Sequence, residues 1–148
     1  MSKIILVSSC LVGIPCRYCG RGALNPQLLT KLSCTDSILL GCPELLGGLP
    51  TPRPACNIVG GTGLDVLEGR ASVLGVDGTD YTTPFVTGCH RLLEIVRKME
   101  IREAWLKSKS PSCGCGEIYA PDGKNIVHGD GILTALLKQN GIVVNEVK

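Results

Sequence analysis

Nine cysteines in a chain of 148 residues are the first chemistry on offer, and several stand where packing does not explain them. Cys42 lies in GCPELLGGLPTPR, residues 41–53, and Cys113 lies in SPSCGCG, residues 110–116. Glycine and proline surround both. Neither stretch has the periodic apolar pattern that buries a thiol in a helix or strand. A thiol on a loop shaped by Gly and Pro suits metal binding or reactivity. The apolar run at residues 4–7 is too short for a signal-peptide core, and no stretch is long enough to span a membrane. The chain therefore reads as cytoplasmic, with no membrane partner. Cytosolic thiols stay reduced, and an odd number of them leaves at least one unpaired. Metal binding or thiol chemistry is the expected use, with some cysteines serving only as small apolar side chains.

Bulk composition narrows the partners. The chain is 44% hydrophobic, only 3% aromatic, and carries a formal net charge of +2. Aliphatic side chains must fill the core, and the length suits one domain over residues 1–148. Without a basic run, electrostatic wrapping of nucleic acid is not expected. With so few aromatics, a base-stacking platform is not expected either. A small-molecule partner fits better, on a monomer or weak dimer.

The elements that must position the thiols follow from periodicity and punctuation. KIILVSS at residues 3–9 predicts a strand buried on both faces. NPQLLTKLS at 25–33 predicts a helix, capped by Asn25 with Pro26 at its first turn. DSILLG at 36–41 predicts a second buried strand. Residues 43–63 read as one long functional loop, and residues 64–80 as a weak peripheral hairpin. Phe85, Cys89, Leu92, Val96 and Met99 recur at helical spacing, which predicts a helix over 80–100. REAWLK at 102–107 predicts a strand, and Pro121-Asp122-Gly123 the turn of another hairpin. A helix at 130–139 ends at Asn140-Gly141, and a strand at 142–147 closes the chain. Strands alternating with helices give an α/β class: a three-layer, Rossmann-like domain with a mostly parallel sheet and a small peripheral hairpin.

In such sheets ligands bind beyond the carboxyl ends of the strands. Cys10 follows the first strand, Cys42 the second, and Cys113 the strand at 102–107. Three loops distant in sequence would then bring three thiols to one rim. Three converging thiols suit zinc or an iron–sulfur cluster. Structural zinc needs a fourth ligand, for which Cys16 or Cys19 of PCRYCG is available. A [4Fe–4S] cluster held by three thiols keeps one iron open as a Lewis acid. Cys89 is expected in the core and Cys34 at a helix end. Cys56, in the long loop, could be near the site or merely adjacent, and Cys115 is expected beside the site without ligating it.

The blocks VSSCLVGIPCRYCG, CPELLGGLPTPRPAC and LKSKSPSCG, with the terminal GDGILTALLKQNGI, resemble the thiouracil desulfidase family in the same order over nearly the whole chain. The resemblance implies an enzyme whose [4Fe–4S] cluster has three cysteine ligands, at Cys10, Cys42 and Cys113, and one open iron. It implies non-redox desulfuration of thiouracil or a related thiolated pyrimidine to uracil and hydrogen sulfide. Glu44 and Ser110 take the positions implied to handle protons and place substrate. Lys107, Arg53 and Ser112 are the expected substrate-binding residues. The family reads RYDG where this chain has RYCG, so Cys19 replaces an acidic residue, and Cys56 is a second departure.

The chemistry is coherent. Sulfide leaves carbon poorly unless it is stabilised, and soft sulfur favours a soft, thiolate-bound metal. A desolvated Glu44 would exchange protons near neutral pH. Ser110 could meet a pyrimidine edge or make a local turn bond. Arg53 could add positive charge or anchor loop carbonyls. The alternatives are a zinc-stabilised binding module and an iron–sulfur or sulfur-transfer accessory protein.

Overall fold

The computed structural model describes residues 3–32 and 37–148. Strand β1 (Ile4–Ser8) runs through a 3-10 turn (Ser9–Val12) to α1 (Pro26–Leu32) and β2 (Ser37–Gly41). Next come α2 (Pro43–Leu46), β3 (Cys56–Val59), α3 (Gly63–Leu67), β4 (Ser72–Gly75) and α4 (Thr82–Lys98). The chain ends with β5 (Glu103–Lys107), β6 (Glu117–Tyr119), β7 (Ile126–His128), α5 (Ile132–Gln139) and β8 (Val143–Val147). Asn25 caps α1 as its sequence predicts: Leu28 N donates to Asn25 Oδ1 at 2.9 Å, just before Pro26.

Four strands form one parallel sheet in the order β2-β1-β5-β8. Alternation along β1 sends Ile5 and Val7 to one face and Leu6 to the other. Ile5 and Val7 pack with Leu28 and Leu32 of α1. Leu6, Ala104 and Leu106 join the larger core with Phe85 and Leu92 of α4 and Ile132 of α5. Helices cover both faces, giving the three-layer α/β arrangement read from the sequence. Full burial of each such aliphatic side chain contributes about 2 kcal/mol. Among the described residues no helix is long and apolar enough to cross a membrane.

Several local expectations are corrected. Residues 43–63 are not one loop: they contain α2 and β3. Pro43 starts a single helical turn, and the partner of β3 lies beyond α3, too far along the chain for local pattern to reveal. β3 pairs antiparallel with β4, Ile58 opposite Val73. This unit is not peripheral, because Ile58 and Val73 are buried in the main core. A tight turn at Asp77-Gly78 returns the chain, with Tyr81 N donating to Val73 O at 2.8 Å. β2 is an edge strand, and Ile38 and Leu40 are exposed on it. Met99 lies past the end of α4 and is exposed. Cys34 falls outside the described residues.

Close approach of α2 to α4 fixes where Cys42 and Glu44 stand. A Cβ at Gly88 would collide with the Pro43 carbonyl, and one at Gly47 with that of Pro84. Backbone against backbone leaves neither side room to yield. Gly88→Ala is expected to destabilise the protein by about 2 kcal/mol, seen as a lower urea midpoint at unchanged slope. A variant as stable as the parent would show that α2 can withdraw freely.

Candidate functional site

The site grows from the sheet's topology. β1 lies between β2 and β5, so the chain reverses its direction of strand addition beside β1. A crevice opens at such a switch point, past the carboxyl ends of the strands. Here it is a cavity of about 380 Å³, and Cys10, Cys42 and Cys113 all line it. Cys10 sits in the 3-10 turn two residues beyond β1. Cys42 follows β2 directly and opens α2. Cys113 sits on the loop after β5, which several bonds pin in place. Its N–H donates to Ser110 Oγ at 2.8 Å, Thr134 Oγ1 donates to its carbonyl at 2.9 Å, and Leu133 N donates to Ser112 O at 2.8 Å.

A fourth thiol joins them. Cys16 is only 3% exposed, lines the same cavity, and lies in hydrogen-bonding reach of Cys10 and Cys42. The thiols act on one another. The hydrogen bond to Cys10 raises the pKa of Cys16. The hydrogen bond to Cys16, and burial after it, raises that of Cys42. Burial pushes Cys113 up to about 11, against the opposing pull of the Ser112 hydroxyl beside it. Without a cation these groups stay protonated, and a thiophilic metal centre reverses that balance. The Ser8 hydroxyl points at Cys113 Sγ, 3.7 Å away, as donors do around cluster thiolates; Ser112 Oγ is equally near, but its single proton goes to Glu44. Four soft donors and the Ser8 hydroxyl fit an iron–sulfur cluster. Among the described residues no three Cys, His, Asp or Glu side chains close around the position of a single ion. A cluster does not require that, because its ligands bind separate irons.

Beside the thiols stands a carboxylate with two partners. Glu44 forms an ion pair with Arg53, whose side chain is 2% exposed, and accepts a hydrogen bond from Ser112 Oγ at 2.7 Å. Both partners stabilise the anion. They oppose the desolvation expected to make Glu44 exchange protons near neutral pH. Arg53 Nη1 also donates to Pro50 O at 3.1 Å, the anchoring role foreseen for it. Burial lowers the pKa of Arg53, and Glu44 supplies the nearest compensating charge. Lys107 lines the cavity; burial, and then Arg17, lower its pKa.

Residues 5–147 match the family described as 2-thiouracil desulfurase. The chain belongs to that family. It is similar to a solved [4Fe-4S]-dependent thiouracil desulfidase, TudS. That likeness has a TM-score of 0.83 and 37% sequence identity over 97% of this chain and 90% of that one. It is also 44% identical over 140 residues to the uncharacterized protein YbbK of Bacillus subtilis (strain 168), covering 93% of this chain and 91% of that protein.

In this family member the cavity gathers every residue the sequence singled out for the site: Cys10, Cys42, Cys113, Glu44, Arg53, Lys107, Ser110 and Ser112 all line it. Ser110 makes the local turn bond that is one of its two expected uses, and Ser112 has a separate task. Ser110 Oγ accepts from Cys113 N and shapes the loop, whereas Ser112 is buried and braces Glu44. Cys89 is fully buried in the core, as foreseen. Cys19 is exposed, and Cys115 is half-buried with its thiol 4.0 Å from Val144 O. Cys56 touches the cavity with its thiol donated to Pro54 O at 3.5 Å. His90 and His128 are exposed. Sequence reasoning offered Cys16 only as a possible fourth ligand, alongside Cys19, and missed Asn57 as a cavity residue and Ser8 as a donor to Cys113. Cys16 lies four residues past the 3-10 turn that carries Cys10, and of the Cys16/Cys19 pair only Cys16 reaches the cavity. Ser112→Ala removes a charge-assisted donor from Glu44 and is expected to cost about 2 kcal/mol of stability, measured from the urea midpoint.

Proposed function

We propose that Cys10, Cys42 and Cys113 hold a [4Fe–4S] cluster with one iron free of protein ligands, and that the cavity in front of it desulfurates a thiolated pyrimidine. Three thiols delivered by three parallel strand ends to one cavity with the Glu44 carboxylate carry this reading. A cluster bound there supplies a soft Lewis acid that draws electron density from the C–S bond and stabilises sulfur as it leaves. The rest is done by the chain. Glu44, held anionic by Arg53 and Ser112, retains free lone pairs and takes a proton from the water that adds to the thiocarbonyl carbon. Ser110 spends its lone pair on Cys113 N and keeps its O–H to donate to the pyrimidine. Lys107 and Arg53 hold the cavity positive against developing negative charge. Burial keeps bulk water from competing. The whole chain acts as one desulfidase unit on a free small molecule in the cytoplasm.

Anaerobic reconstitution with iron and sulfide is expected to give about four irons per chain and sulfide release from 2- or 4-thiouracil. Cys42→Ala should lose cluster and turnover together. Glu44→Gln should keep the iron and slow turnover about 100-fold. A colourless, iron-free protein that still releases sulfide would overturn the proposal. Zinc retained after anaerobic purification in place of iron, with unfolding on chelation, would likewise overturn it.

A further inference from the structure

Asn57 is a polar side chain that neither the core nor the catalytic machinery above employs. It occupies the second position of β3, is 7% exposed, and lines the cavity. Its neighbours Cys56 and Ile58 belong to the main core. Among the described residues no group hydrogen-bonds its amide, which is not sealed away as Arg53 Nε is but opens onto the cavity. The tip of the β6–β7 hairpin roofs it. Gly123 stands there with φ +72°, and a Cβ on it would come within 3.3 Å of Asn57 Nδ2. Space beside the amide therefore depends on that position having no side chain.

The ring edge of a thiouracil presents N3–H flanked by a thiocarbonyl and a carbonyl. With sulfur directed at the thiols, the edge left to recognise is N3–H beside C=O, one donor and one acceptor. That pair is the same whether sulfur is at C2 or C4, because the ring turns over about N3. Arg53 and Lys107 only donate, and Glu44 only accepts. An amide offers an acceptor and a donor on one rigid plane. We propose that Asn57 is the specificity-determining residue that reads the imide edge of the pyrimidine: Oδ1 accepts N3–H, and Nδ2 donates to the remaining carbonyl. The inference rests on the desulfidase reading and adds the basis of its substrate choice. A site whose buried polar group is matched by substrate rejects analogues that leave it unmatched.

The test uses cluster-loaded protein and compares 2-thiouracil with its 1-methyl and 3-methyl derivatives. The parent is expected to discriminate against the 3-methyl compound by more than about 100-fold in kcat/KM and to tolerate the 1-methyl compound far better. Asn57→Ala should shrink the 3-methyl penalty to within about threefold, raising KM for 2-thiouracil. Iron content and cluster absorbance should not change. Calorimetric binding of uracil, which carries no sulfur, should weaken about tenfold in this variant. Asn57→Asp preserves size and serves if the alanine variant folds poorly. Without the carbonyl donor, it should weaken uracil binding to a similar degree. Turnover in which either variant keeps the full 3-methyl discrimination and parental uracil affinity overturns the assignment of Asn57 alone. No sulfide release from any of these compounds by cluster-loaded parent overturns the desulfidase reading and this inference with it.

Discussion

Parallel pairing of β1 with β2 on one side and β5 on the other is the constraint on which the site depends. Parallel strands end at the same edge, so whatever follows Ser8, Gly41 and Lys107 must emerge together. Their loops hold the thiols. The hydrogen bonds that set this edge also cross into the site: Ser8 Oγ accepts from Lys107 N at 3.0 Å and points its proton at Cys113 Sγ. A side chain at the end of the central strand thus links the β5 backbone to a proposed ligand.

Around that edge the packing leaves little latitude. α2 is a single turn, far too short to be stable alone, and it persists because its backbone rests against α4 at Gly88. On the other side α5 begins against the Cys113 loop, with Gly131 so close to Ser112 that a Cβ would stand 2.6 Å from its backbone. Ser112 and Glu44 then tie the two loops together across the cavity. Preorganisation of this kind suits a site that must hold an inorganic centre and a carboxylate at fixed separation.

Among the described residues the one buried charged side chain, Arg53, is paired with the half-buried Glu44. Arg53 and Glu44 sit in a region of low polarity, where an isolated ion would be costly and a paired one is tolerated. The thiols nearby are driven toward the neutral form by burial and by one another. A pocket that gathers several thiols, with its nearest carboxylate already paired to Arg53, is therefore a poor site for a hard cation and a good one for a soft cluster.

Much of this was legible in the residues. The buried run at residues 3–9, the Asn25-Pro26 cap and the stripe from Phe85 to Val96 are local patterns, and local patterns specify local structure. From them the strands of the parallel sheet, its long helix and the rim on which Cys10, Cys42 and Cys113 emerge could be worked out. What sequence did not reveal is contact between segments far apart. The β3–β4 pairing, the bond from Ser112 to Glu44, the approach of Cys16 to Cys42 and the unpartnered amide of Asn57 all join positions whose neighbours only folding decides. Hydrophobic periodicity tells which face of an element is buried, but not which polar atom will be buried beside it. That choice depends on distances set by the whole packed core.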